Sequence, residues 1–232
     1  MNKKLFLILV FVSAKITAQY NGNDFFVSVN YIYTTTSKLY LQPYSSDPVL
    51  RGSHDDLDGI DSYSAEFGYR IYREIVVAFS VEHMEKTYTN NNMALGGIRV
   101  NMKDGYKVLM FAFSVYYTLP FSTEYFKFFM GGGGGFYFGD QVRKLGDVTA
   151  STVTRKVGYG IQVAVGMDYL LTSQFAVRGQ MRFRDPEFEM KSKYTNNIVN
   201  YGDRTFLLST NTFNSKVNVD GMSFVIGMVF QF

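Results

Sequence analysis

The 232 residues contain no cysteine, no tryptophan and only four prolines. An exported chain without cysteine has no disulfide framework and no thiolate metal ligands, so its fold must hold by other means. Downstream of the first dozen residues no run of 18 apolar residues occurs, which excludes a membrane-spanning helix there. If such a chain crosses a membrane, it crosses with strands. Histidine is scarce too, with only His54 and His83 available for acid–base chemistry. Excess charge is also missing once the start of the chain is understood. Asn2-Lys3-Lys4 is a short basic opening, Leu5 to Val12 is an apolar run, and Ile16-Thr17-Ala18 places a small residue before Gln19. This predicts a secretory signal peptide over residues 1–18 and a mature domain over 19–232. Removing Lys3, Lys4 and Lys15 from 23 basic residues leaves 20, against 20 acidic. No net positive field remains to gather phosphate, so no nucleic-acid partner is expected.

What is abundant is alternation. At the end of the chain Met222, Phe224, Ile226, Met228, Phe230 and Phe232 alternate with Ser223, Val225, Gly227, Val229 and Gln231. A period of two with one apolar face is a strand. Seven earlier segments repeat the pattern, with apolar faces built from Phe25 to Tyr33, Tyr63 to Ile71, Ile75 to Val81, Leu109 to Leu119, Tyr125 to Gly139, Tyr159 to Tyr169, and Phe175 to Phe183. The fifth is interrupted by Gly131 to Gly135. No Lys-Ser or Lys-Thr follows those glycines and no helical pattern opens after them, so a phosphate-cradling loop is a poor reading. Placing Phe128 beside Tyr117 sets Phe113 and Phe111 across from Gly132 and Gly134, where their rings can cover bare backbone.

Eight antiparallel strands close a barrel with both ends on one side. The connections support this, being short at Tyr72-Arg73-Glu74, Pro120 to Glu124 and Thr172-Ser173-Gln174. They are long and polar at roughly residues 35–59, 85–106, 140–156 and 185–216. Lys103-Asp104-Gly105 reads as a hairpin, which predicts a β extension of the second long loop, or else ten strands. The apolar faces carry large side chains, whereas the opposite faces are rich in Gly, Ser and Ala. An eight-stranded interior cannot hold the larger set, so the apolar face points outward, toward lipid. Aromatics near strand ends, among them Tyr31, Tyr33, Tyr69, Tyr117, Tyr159, Tyr169, Phe230 and Phe232, form the two expected girdles.

With these features in place, the chain from Asp24 to Phe232 resembles the small eight-stranded outer-membrane proteins of the OmpA-barrel, OmpX and OmpW type. The resemblance implies an all-β, up-and-down transmembrane barrel in a Gram-negative envelope, with four long extracellular loops. Outer-membrane lipid and lipopolysaccharide are its expected partners, with periplasmic chaperones and the barrel-assembly machinery during biogenesis, and a monomeric state is expected. Phe224, Ile226, Met228, Phe230 and Phe232 form the aromatic strand that such machinery reads. The resemblance leaves function open, since the group includes anchors, adhesins, narrow channels, enzymes and secretion accessories. The expectation is a non-enzymatic barrel with an envelope-structural or surface-contact role through its loops. The alternatives are a narrow porin-like or OmpW-like conduit for small or hydrophobic solutes, an accessory barrel of a secretion system, or a lipid-modifying enzyme.

The inward faces carry three negative residues, Glu66, Glu82 and Asp168, and five positive ones, Arg70, Lys127, Arg178, Arg182 and Arg184. Pairing Leu171 with Phe175 puts Asp168 opposite Arg178. Charges in a narrow lumen must be paired or wetted. Two readings stand, a polar core that fills the barrel or an ion-pair gate in a thin water path with mild anion preference. The first predicts a central network of Glu66, Glu82, Arg178, Arg182 and Asp168. His83 falls on the lipid-facing parity near the outer rim, with no Ser or Asp placed beside it, so it reads as a girdle residue rather than a catalytic one. Asp55, Asp56, Asp58 and Asp61 surround Gly59 and are weak candidates for a cation, but the calcium-loop motif fails at His54 and Ala65. No cofactor is expected.

Overall fold

The computed structural model describes residues 24–232, and residues 1–18, read above as a signal peptide, lie outside that range. Thirteen strands follow in chain order: β1 (Phe25–Tyr40), β2 (His54–Arg70), β3 (Ile75–Leu95), β4 (Ile98–Thr118), β5 (Phe126–Gln141), β6 (Arg143–Leu145), β7 (Val148–Leu170), β8 (Phe175–Arg184), β9 (Glu187–Tyr194), β10 (Ile198–Tyr201), β11 (Arg204–Leu207), β12 (Phe213–Asn218) and β13 (Met222–Gln231). One short helix, α1 (Pro48–Gly52), lies between β1 and β2, capped by the Asp47 side chain on the Val49 amide. Eight strands close a ring, β1-β2-β3-β4-β5-β7-β8-β13, and β13 completes it against β1 from Phe26 opposite Gln231 to Thr34 opposite Ser223. Phe25 and Phe232 exchange backbone hydrogen bonds of 3.0 and 2.9 Å at the foot of this seam.

Around the ring, the outward residues from the short turns up to Tyr33, Tyr63, Val81, Leu109, Phe138, Tyr159, Phe183 and Phe224 include no charged side chain. Val29, Phe67, Phe113, Ile161, Val163, Ile226 and Met228 are among the exposed ones. This belt is the lipid-facing surface of a transmembrane barrel. Rings mark its lower edge, with Phe25 4.8 Å from Tyr69, Phe175 4.9 Å from Phe230 and Phe126 4.9 Å from Tyr169. The upper edge carries Tyr31 with Tyr63 and Phe136 with Tyr159. Just above it the outward residues turn ionic, as in Lys107–Glu85 and Arg155–Asp140.

In the long connections the structure goes beyond the sequence reading, which expected a β extension only in the second of them. Most of residues 35–59, 85–106, 140–156 and 185–216 is strand, and the barrel continues well beyond its belt, with β9 and β12 completing the wall between β7 and β1. The reason is an inversion of the alternation. In the belt of β4, Phe111, Phe113 and Val115 face out while Ala112 and Ser114 face in. Higher up, Lys107, Lys103, Asn101 and Arg99 face out while Val108, Tyr106, Met102 and Val100 are buried. Outside the membrane the wall follows the ordinary rule of a water-soluble barrel, polar out and apolar in, which reads as a polar loop to anyone seeking a greasy face. The predicted turn at Lys103-Asp104-Gly105 is also displaced. Those residues lie inside β4, and the hairpin reverses at Gly96 and Gly97, whose φ of 55° and 82° supply the left-handed turn. Gly105 serves close approach instead, since a Cβ there would sit 2.1 Å from the Lys86 carbonyl oxygen.

One register is corrected by two residues. Tyr117 faces Met130, so Val115 and Phe113, not Phe113 and Phe111, lie across from Gly132 and Gly134. The β4–β5 connection folds on itself through Leu119 N–H to Phe128 O (2.8 Å) and Phe128 N–H to Ser122 Oγ (3.0 Å), which delays the start of pairing. The ladder between β2 and β3 ends at Ser62 opposite Met84. Above it Lys86 Nζ donates to Gly59 O at 2.7 Å and the Tyr88 hydroxyl donates to Asp55, spanning the gap with side chains.

Candidate functional site: the stacked interior

From the short-turn end upward, the interior is built in layers. The lowest centres on Arg178 of β8. Its Nε and Nη2 donate to the two oxygens of Asp168 at 2.7 and 2.9 Å, and Nη1 donates to Glu66 Oε1 at 2.7 Å. Tyr116 donates to the other Glu66 oxygen at 2.9 Å. Asp168 sits directly across from Arg178 because Leu171 and Phe175 close the turn. Rings of Phe26 and Phe129 lie 4.9 Å from the guanidinium carbon, so a fully ligated cation is also held between aromatic faces.

Glycine makes room for those rings. Phe26 pairs across the ladder with Gly68, and Phe129 with Gly166. An added Cβ would lie 2.0 Å from the Phe26 ring at Gly68 and 2.5 Å from the Phe129 ring at Gly166. Gly68→Ala is therefore expected to displace Phe26 from Arg178 and to cost about 1 to 3 kcal/mol, as overpacking does. Urea unfolding of the protein in lipid vesicles measures this, and an unchanged midpoint would contradict the packing described.

A second cluster surrounds Glu82. Arg184 forks onto it, Nη1 to Oε2 at 2.9 Å and Nη2 to Oε1 at 2.8 Å, while Arg182 adds one bond of 3.1 Å and Ser62 one of 2.8 Å. Arg184 also reaches Thr34, which contacts Ser223 at 2.8 Å and so ties the cluster to the β1–β13 seam. Glu66 and Glu82 lie on diagonal positions of neighbouring strands, facing in, and each carboxylate has its own arginine partner. The expected single network is thus two clusters, and Arg184, left out of that network, is the main ligand of Glu82. Between the clusters lies a small-residue polar layer of Ser28, Asn30, Ser64, Ser80, Ser114 and Gln162, joined by bonds such as Gln162 to Ser114 at 2.8 Å.

Above Glu82 the interior becomes apolar. Leu39, Ile60, Tyr106, Val108, Met110, Tyr137, Phe188 and Met190 form a buried block inside the extension, with the Tyr106 hydroxyl 2.7 Å from Ser37. Higher still, the buried Asp104 takes Nε and Nη2 of Arg143 at 2.9 and 2.5 Å and the Gln141 amide at 3.2 Å. Burial alone would lower the Arg143 pKa, but the Asp104 carboxylate outweighs it and holds the guanidinium above its ordinary value. Sequence reasoning missed this pair because Asp104 was assigned to a turn. Its even-numbered parity, shared with Met102 and Tyr106, was the available signal.

The net charge of this interior is balanced. Glu66 and Asp168 exceed Arg178 by one negative, and Arg182 with Arg184 exceeds Glu82 by one positive. Arg70 and Lys127 stand apart, lining a cavity of about 360 Å³ at the short-turn mouth, and Arg70 donates to the Arg73 carbonyl at 2.8 Å. The four aspartates of β2 do not converge. Asp55 accepts from Tyr88, Asp56 lies 3.4 Å from His54, Asp58 pairs in register with Thr36, and Asp61 accepts from Tyr31. Among the described residues no group of three or more His, Asp or Glu side chains could hold a metal. Extended pairing along β2 scatters them on both faces. His83 faces outward at the belt's upper edge beside Lys107, Phe111 and Phe138.

No protein-family model matches the chain. No curated protein matches it in sequence. Solved structures do match in shape. The outer membrane protein OprG from Pseudomonas aeruginosa superposes with a TM-score of 0.63 over 92% of this chain and 97% of its own, at 15% identity. Neisserial surface protein A gives 0.49 at 13% identity, over 90% and 97% of the two chains. Ail, the attachment invasion locus protein of Yersinia pestis, gives 0.44 at 9% identity, over 91% and 100%. The first of these carries the comparison. The fold is that of the small outer-membrane β-barrels. At such identities the likeness speaks for architecture, and the apolar belt agrees with it independently.

Proposed function

We propose that this protein is a non-enzymatic outer-membrane β-barrel that acts through the extracellular β extension it holds above the bilayer, with a closed interior. The observation that carries this reading is the buried apolar block of Leu39, Ile60, Tyr106, Tyr137 and Phe188, which occupies the space a water-filled path would need. Two ion clusters lie beneath it, so the interior serves as a rigid core for the wall. In the orientation usual for such barrels, the short turns face the periplasm and the extension faces outward. The extension presents apolar groups to water, among them Val49 and Leu50 of α1, at 78% and 45% exposure, and Leu207 of β11, at 77%. In this reading they are groups through which the extension contacts a partner.

Liposome swelling tests the closed interior. Proteoliposomes should take up glycine, glucose and arabinose no faster than protein-free vesicles, and uptake well above that baseline would overturn the reading. A narrow conduit is the second reading, favoured by the polar layer between the clusters, where Asn30 Oδ1, Gln162 Oε1 and Gln180 Nε2 have no hydrogen-bond partner among the described residues. That reading requires the Arg178 cluster, the Glu82 cluster and the apolar block all to part.

A further inference from the structure

The cavity at the short-turn mouth lies below the layers that close the barrel, and its lining is divided by chemistry. Phe26, Val76, Phe129 and Leu170 form apolar walls, and Arg70, Arg73 and Lys127 stand among the mouth residues with Asp24. Arg178 forms part of the floor, but Glu66 and Asp168 already take its charge. Arg70, Arg73 and Lys127 make no ion pair among the described residues. Lys127 is the cross-strand neighbour of Asp168, yet that carboxylate turns both oxygens to Arg178. Counting the floor, Arg70, Arg73, Lys127 and Arg178 face Asp24, Asp168 and Glu66, so the recess keeps a net positive charge that sits on the mouth cations and draws in negative charge, while its apolar walls exclude water from an apolar group. A volume of about 360 Å³ falls at the small end of ligand-sized pockets.

We propose that this vestibule binds a small amphiphilic anion, a monocarboxylate with a short apolar tail. The carboxylate sits among Arg70, Arg73 and Lys127, where guanidinium groups offer paired donors. The tail points up the barrel axis against Phe26 and Phe129 and stops below Arg178, which makes the recess a binding site with a closed end. The site lies on the periplasmic side if the orientation proposed above holds, while binding itself does not depend on orientation or on conductance.

The experiment uses the mature protein in phosphatidylcholine nanodiscs, followed by amide NMR, with octanoate, acetate, inorganic phosphate and octyltrimethylammonium as probes. Octanoate should give saturable shifts at Thr118, Lys127, Leu170 and Gln231 and leave the amides of Tyr106 and Arg143 unmoved. The variant R70Q/R73Q/K127Q removes charge from residues that make no ion pair, and its spectrum away from the mouth should match the wild type. Its octanoate affinity should fall on the order of tenfold or more, since each factor of ten needs only about 1.4 kcal/mol. Absence of saturable shifts, equal affinity in the variant, or equal binding of octyltrimethylammonium would overturn the proposal. Acetate or phosphate binding as tightly as octanoate would overturn the amphiphile and leave a plain anion site.

Discussion

Glu82→Gln is expected to lower the unfolding free energy by about 3 to 5 kcal/mol, the scale for stripping one partner from a buried ion cluster. Size is kept and charge is lost, which leaves Arg182 and Arg184 buried side by side with no counter-charge. Arg182→Ala should cost less, about 1.5 to 3 kcal/mol, because it removes a single charge-assisted bond while the Arg184 fork and Ser62 still hold the carboxylate. The triple variant E82M/R182M/R184M separates charge from packing. Because well-packed apolar groups often replace a buried ion cluster at little cost, it should lose less than Glu82→Gln alone. Reversible urea unfolding in lipid vesicles measures all three. A Glu82→Gln protein as stable as wild type would mean that the two arginines already find water, and the closed interior would be wrong.

Charge in the belt has the next largest expected effect. Phe113→Arg, Phe67→Arg and Val163→Arg should each destabilise by about 2 to 4 kcal/mol where the side chain lies near the bilayer midplane. Phe113 is 61% exposed on the outer wall, and its inward neighbour Ala112 is fully buried. Arginine at Ala112, Ser64 or Ala164 should act differently, through clash and pairing inside the barrel. Single cysteines at these six positions, read with a bilayer-soluble quencher, distinguish the faces directly, since the chain has no other cysteine. Quenching at 64, 112 and 164 but not at 67, 113 and 163 would mean that the faces are reversed.

The belt was legible because its signal is the strongest a strand can give, as at Phe111, Phe113 and Val115 against Ala112 and Ser114. Asp168 opposite Arg178 was legible for a related reason, that a three-residue turn fixes register by counting. Contacts across the lumen were harder. Arg184 and Glu82 are 102 residues apart, and their meeting depends on strand tilt and barrel diameter, which no local pattern encodes. A β extension of the second long connection was expected, but its turn was misplaced at Lys103-Asp104-Gly105, because Lys103, Asn101 and Arg99 are the polar outer face of a strand whose inner face, Met102 and Val100, builds a core. A second search for alternation with the solvent face polar would have recovered most of it. Asp104 with Arg143 belongs to that same inverted region, and the cations of the vestibule gain meaning only once Arg178 is seen to be neutralised.

Single-channel recording in a planar bilayer tests the closed interior most directly. The wild-type protein should show no steady conductance, only rare and small openings, because the Arg178 and Glu82 clusters and the apolar block above them close the path in series. Glu82→Gln should open more often. A stable, large conductance of the wild-type protein would contradict the account.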